Sequence, residues 1–230
     1  MITKFRISVI IFSEMISHKK KYIFIEVPKT ASTSLRKVLG FSKRPHLDIV
    51  EIRKNMIYNW PFPEGSGIIG KFQKLNKFIP SKIRENVIEK QFNSYFKFGF
   101  VRNPWDRVVS LYYRKEGIKM VDRITFDEFV SWIQYSSDTS IHTSVHKNQL
   151  DWFTDENGKV IVDFIGKFES LEDDYEIIMK KLGIDKELPH VNNGKNNKLH
   201  YAEYYSSKTK DIIAEKFKVD IEYFGYEFGK

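Results

Sequence analysis

A chain of 230 residues, 41% apolar and 30% charged, is long and apolar enough to bury one sizeable core, and its 19 Phe and 12 Tyr exclude disorder over most of its length. Without cysteine it can hold neither a disulfide framework nor a thiolate metal site, which fits a reducing compartment. Thirty-eight basic against 30 acidic residues leave a net charge of +8, which favours anionic partners (nucleotides, nucleic acid, anionic polysaccharide, a membrane surface) without choosing among them.

In chain order, the first apolar run is Phe5 to Phe12, broken by Arg6 and Ser8. It is shorter than the roughly 20 residues that span a bilayer and has no small-residue cleavage site. It reads as a buried strand, not an anchor or a signal peptide. No other segment reaches transmembrane length, so the expected location is cytoplasmic.

Lys21 to Val27 is aromatic and β-branched, as a buried strand should be, and Pro28 ends it. The small polar run Lys29-Thr-Ala-Ser-Thr-Ser34 leads into Leu35–Leu39, with Gly40 as a stop: strand, tight loop, helix. Residues 42–78 are punctuated by Pro61, Pro63, Gly65, Gly67 and Gly70. They read as irregular, either a substrate-covering insertion or a plain connector.

Ser81 to Tyr95 is expected to be helical and Phe96 to Val101 to form a second buried strand. Arg102-Asn103 then makes a turn, and Pro104 suits the first position of a helix reaching about Lys115. Thr125 and Glu128 form a capping-box pattern before Phe129–Ile133. Val160 to Gly166 is a third strand candidate. Ser170 is a candidate cap for a helix ending at Leu182-Gly183, and a last helix covers Lys208 to Phe217. Strands alternating with helices predict one α/β domain over 1–230 with a largely parallel sheet.

The loop after the first strand carries the clearest chemistry. Small residues let successive N–H groups curl toward one anion, and the next helix adds its positive end. Lys29 supplies a mobile charge, and Thr33 and Ser34 supply hydroxyls. A phosphate or sulfate group is the natural occupant. The lysine stands at the start of the loop, whereas the triphosphate pattern G-x-x-x-x-G-K-[ST] puts it at the end. From spacing alone, an ordinary strand–helix turn stays open.

Phe24-Ile-Glu-Val-Pro-Lys-Thr-Ala-Ser-Thr-Ser-Leu35 resembles the 5′-phosphosulfate loop of sulfotransferases that use PAPS (3′-phosphoadenosine-5′-phosphosulfate). It is most similar to the Golgi-type carbohydrate group, whose usual Pro-Lys-Thr-Gly-Gly-Thr-Ser has two glycines where this chain has Ala31 and Ser32. Phe98 to Tyr112 resembles the 3′-phosphate motif of the same family. Weaker likeness runs through 162–171, 188–192 and 220–228.

The resemblance implies a P-loop-like three-layer sandwich, a mostly parallel central sheet flanked by helices. It implies PAPS as donor, PAP as product and no metal. Lys29, Thr30, Ala31, Ser32, Thr33 and Ser34 would cradle the 5′ side, and Arg102 and Ser110 the 3′-phosphate, with Lys29 also stabilising the leaving oxygen. Arg107 is a further candidate, expected to pair on the surface instead. Tyr223, Phe224, Tyr226 and Phe228 are expected to pack a core. Residues 192–201, with Lys195, Lys198 and His200, read as a solvated loop, the alternative being a cover for the nucleotide.

The acceptor hydroxyl needs a general base. Histidine followed shortly by Gln occurs in this region of similar enzymes, which selects His146 with Gln149, and His142 after it; Glu26 stays open. The subgroup points to a carbohydrate acceptor, anionic polysaccharide among the candidates. A Golgi location would require a trimmed chain. Two rivals stay open: a P-loop kinase or nucleotide hydrolase, and a non-catalytic polyanion-binding module. No zinc-finger, RRM or helix-turn-helix signature is present, so no nucleic-acid partner is expected.

Overall fold

The computed structural model describes residues 15–41, 46–59, 80–113, 122–137, 144–189 and 199–230. The strand expected at Phe5–Phe12 lies outside them. Four strands form one sheet in the order β1 (Ile16–Ser17), β2 (Tyr22–Ile25), β3 (Phe96–Val101), β4 (Phe164–Lys167). β1 runs antiparallel to β2, whereas β2, β3 and β4 are mutually parallel, with Ile25 opposite Gly99 and Val101 opposite Lys167.

Both faces of the sheet are covered, which is why β2 reads as an unbroken apolar run. Tyr22 and Phe24 join Phe98 and Phe100 on one face, under Leu35 and Val38 of α1 (Ser32–Leu39) and Tyr175, Ile178 and Met179 of α6 (Leu171–Leu182). Ile23, Ile25 and Val101 face the other way. They belong to one core cluster with residues of α2 (Ile49–Asn59), α3 (Ser81–Ser94), α4 (Pro104–Tyr112), α5 (Phe126–Tyr135), α7 (Ser207–Lys216) and α8 (Lys218–Phe224). The result is a helix–sheet–helix sandwich of the α/β class, as expected. Gly99 lets the Phe153 ring lie directly on β3: a Cβ there would come 2.5 Å from that ring and 2.7 Å from the Ile25 carbonyl oxygen.

Local chemistry sets the helix ends. Asn103 caps α4 with Pro104 behind it, and Thr125 and Glu128 close a full capping box on α5. Gly40, Gly183 and Gly225 end α1, α6 and α8 in left-handed conformation. Ser170 differs from expectation: its hydroxyl donates to Asp174 (2.8 Å) and does not cap α6.

Three further expectations are corrected. Where 42–78 read as irregular, residues 49–59 form α2; Asp48 and Glu51 exchange reciprocal backbone-to-carboxylate bonds (2.9 and 2.8 Å), while Ile49, Ile52 and Met56 reach the core. Residues 60–79 lie outside the described residues. β4 begins four residues later than expected, because Val160 bridges Thr154 and the Ile161 N–H bonds to Phe153 in a local hairpin. In the tail, Tyr226 is buried and Phe224 and Phe228 pack against the core, but Tyr223 is 55% exposed.

Candidate functional site

β2 and β3 are adjacent and parallel, so the loops that follow them emerge on the same edge of the sheet. The helix after β2 packs on one face and the helix after β3 on the other, which opens a crevice at the strand ends where ligands of α/β sheets bind.

The first loop is strained. Lys29 (φ 74°) and Ala31 (φ 64°) are two of only three non-glycine residues with positive φ among the described residues. Each costs about 1–2 kcal/mol. Left-handed residues alternating along the chain turn successive N–H groups to one side, the geometry of an anion nest. Ala31, at the start of α1, offers no side-chain cap, and the first turn holds no acidic residue. The Ser34 N–H bonds back to the Ala31 carbonyl (3.0 Å), and the N–H groups of Ser32 and Thr33 before it are not claimed by a side-chain cap.

The Thr30 hydroxyl points inward and donates to the Val27 carbonyl (2.8 Å), pinning the loop instead of facing a ligand. Ser32 and Ser34 are buried, Thr33 is exposed, and Lys29 is half-buried. Beneath the loop, the Glu26 carboxylate lies 3.1 Å from Arg36 Nε and so ties the end of β2 to α1. His46 Nδ1 sits 2.9 Å from the Glu26 carbonyl oxygen and 3.7 Å from its carboxylate.

The second corner is held by side chains. Arg102 Nε donates to Asp106 (2.8 Å), Nη2 lies 2.7 Å from the same oxygen, and Nη1 donates to the Lys29 carbonyl (3.2 Å). The guanidinium stacks 4.0 Å over Phe168. The structure thus joins two predicted anchors, Arg102 and the Lys29 loop, through one hydrogen bond. Ser110 is half-buried, about 9 Å along α4 from its first residue, Pro104. Asn103 fastens this corner to the tail, donating to Tyr201, Glu227 and Lys230.

Arg107 is the main correction. Expected on the surface, it is 1% exposed and reaches carbonyls from distant segments. Nη2 donates to Ser144 (2.9 Å), Nη1 to Lys147 (3.5 Å) and Nε to Pro28 (3.4 Å). Burial pulls its pKa down to about 10, opposed by the charge of Asp220. Asp220 is itself fully buried; burial raises its pKa although it accepts N–H bonds from Gln149 (2.7 Å) and Leu150 (2.9 Å).

His146 is half-buried on the turn that Arg107 ties to Pro28, with its ring 5.1 Å from that of Trp132. The expected pairing with Gln149 takes another form: both polar atoms of the Gln149 side chain bond the Arg102 backbone. His142, Lys195 and Lys198 lie outside the described residues, and His200 caps a 3-10 turn at Tyr201–Tyr204. Sequence reasoning missed His46, Asp106, Phe168 and Asp220. Only Asp106 had a local signal, its i+4 spacing from Arg102. A backbone nest beside a guanidinium suits a ligand with two anionic groups.

The model of the sulfotransferase family matches residues 14–227. Carbohydrate sulfotransferase 10 of Xenopus laevis is 25% identical over 248 residues, covering 92% of this chain and 66% of its own length. The Homo sapiens protein of that name is 25% identical over 244 residues, covering 91% and 65%. The chain thus spans about two thirds of the length of these relatives. An uncharacterized protein of Archaeoglobus fulgidus is 39% identical over 108 residues, 46% of this chain and 82% of its own. Among solved structures, a mouse sulfotransferase complexed with PAP aligns at a TM-score of 0.43 and 18% identity, covering 90% of this chain and 85% of its own. With a family match that runs through both strand-end corners and on into the tail, the chain belongs to the sulfotransferase family.

Proposed function

We propose that this chain transfers the sulfuryl group of PAPS to a hydroxyl of a carbohydrate acceptor. The observation that carries the donor half is the uncapped start of α1, preceded by left-handed Lys29 and Ala31 and linked to Arg102. The loop receives the 5′-phosphosulfate, and Arg102 with Ser110 receives the 3′-phosphate. The carbohydrate half draws on the carbohydrate sulfotransferase relatives and on the net charge of +8, which suits a sugar chain bearing anions.

The acceptor oxygen attacks sulfur in line with the bond to the 5′-phosphate. An O–S bond forms, the phosphate O–S bond breaks, and its electron pair stays on the departing PAP oxygen. Lys29 stabilises the charge that grows there, with the loop amides around it. The acceptor proton goes to a histidine. His146 is the first candidate, on a turn fastened to Pro28 through Arg107. His46, held against Glu26 immediately behind the loop, is the second.

The test is transfer from labelled PAPS to a panel of glycans by the wild type and by Lys29→Ala, His146→Ala and His46→Ala. We expect Lys29→Ala to lose on the order of 10²–10³ in kcat. Unchanged turnover in that variant removes the role given to Lys29. The histidine whose loss abolishes turnover while PAP still binds is the base. Full turnover in both variants removes His146 and His46 as the base and leaves His142, the remaining candidate of the sequence.

A further inference from the structure

Arg102 is the first residue past the β3 ladder, whose last pair is Val101 with Lys167. Its N–H and C=O have no strand left to bond, and buried backbone groups need partners. A single side chain supplies both. Gln149 Oε1 accepts from the Arg102 N–H (2.9 Å), and Gln149 Nε2 donates to the Arg102 carbonyl (2.7 Å). One primary amide stands in for a strand residue, across 47 positions of sequence.

Gln149 is completely buried and is itself anchored. Its backbone N–H donates to Asp220 Oδ2 (2.7 Å), and its Nε2 lies 3.4 Å from the same oxygen. Asp220 is fixed on α8 and takes the Leu150 N–H on its other oxygen. Contacts therefore run unbroken from Asp220 through Gln149 and Arg102 to the carbonyl of Lys29. With the backbone of Arg102 clamped, Asp106, Phe168 and Lys29 leave its guanidinium one direction.

We propose that Gln149 is the positioning residue that aims Arg102, and that it thereby sets the preference of the protein for a nucleotide carrying a 3′-phosphate over one lacking it. The inference rests on the donor reading above. Gln149 touches no substrate atom; it acts through Arg102 alone. It thus governs KM for PAPS and leaves the chemical step to Lys29 and the base.

The test is calorimetric titration with PAP and with adenosine 5′-phosphate, which differ by the 3′-phosphate. The proteins are the wild type, Gln149→Met, Arg102→Ala and the double variant. Gln149→Met keeps length and removes both hydrogen bonds. It is expected to weaken PAP by roughly tenfold, the scale on which outer partners of an anchored group act. Adenosine 5′-phosphate binding stays put, KM for PAPS rises in step, and kcat holds. Adding Gln149→Met to Arg102→Ala costs PAP nothing further, because the two act as a unit.

Should Gln149→Met not fold, Gln149→Asn carries the same test, since its amide is one methylene too short to reach Arg102. A folded variant that weakens both nucleotides equally, or keeps the wild-type ratio, overturns the inference. So do additive losses in the double variant. A wild type with no preference for PAP overturns the donor reading itself, so the two failures are distinguishable.

Discussion

The loop after β2 and the corner after β3 lie side by side, follow neighbouring parallel strands and share a hydrogen bond, yet they are built by opposite means. The loop relies on backbone. Its left-handed residues at 29 and 31 aim N–H groups, and Thr30 contributes a side-chain bond only to hold the turn. The corner relies on side chains, with Arg102 fixed by Gln149, Asp106 and Phe168. A backbone-built site depends on conformation and tolerates changes among small residues, so Ala31 and Ser32 are compatible with the proposed anion loop. A site built from side chains depends on partners far away in sequence and tolerates little.

The sharpest way to break this comparison is to remove what both corners stand on. Arg107 holds Pro28 at the start of the loop and offsets Asp220 beneath the corner. Arg107→Met leaves a buried carboxylate without its counter-charge and is expected to cost about 3–5 kcal/mol in urea unfolding. Stability unchanged within 1 kcal/mol would mean that Asp220 is not relying on that guanidinium.

Next in size is Lys29→Ala. On the proposed division, with the loop amides holding the anion and Lys29 acting on the leaving oxygen, PAP affinity should change far less than kcat, which falls by about 3–4 kcal/mol of barrier. Steady-state kinetics beside PAP titration separate the two. Arg102→Ala should do the reverse, lowering PAP affinity by about 1.5–3 kcal/mol, the worth of a hydrogen bond to a charged group. If the two variants show the same profile, the division between the corners is wrong.

The smallest effect has the opposite sign. Ala31→Gly relieves a left-handed alanine, a gain of about 1–2 kcal/mol, less about 0.5–1 kcal/mol of glycine entropy. A net stabilisation of up to about 1.5 kcal/mol should appear as a higher Tm. A lower Tm would show that the loop is not strained at this residue.

The sequence made the strand–loop–helix at Lys21 to Leu39 legible, because Pro28, the small polar run and Gly40 act locally. The second strand and its Asn103-Pro104 helix start were legible for the same reason. The helix α2 also had a local signal, Asp48 and Glu51 with an apolar face at Ile49, Ile52 and Met56, but the prolines and glycines that follow it obscured the pattern. The buried network was not legible. Arg107 is met by carbonyls 37 to 79 residues away, and no local pattern tells such an arginine from an exposed one. Gln149 could be singled out beside His146 only by resemblance; that its amide faces Arg102 follows from packing alone.

The central claim is that the two corners together receive one nucleotide with phosphates at both ends of its ribose. The most direct measurement is titration of the wild-type protein, without magnesium, with PAP, adenosine 5′-phosphate and ATP, and then with ATP and magnesium. PAP should bind at least about tenfold more tightly than the others, as a charge-assisted contact to one extra phosphate requires. Equal affinity for PAP and adenosine 5′-phosphate, or tighter binding of ATP with magnesium, would contradict it.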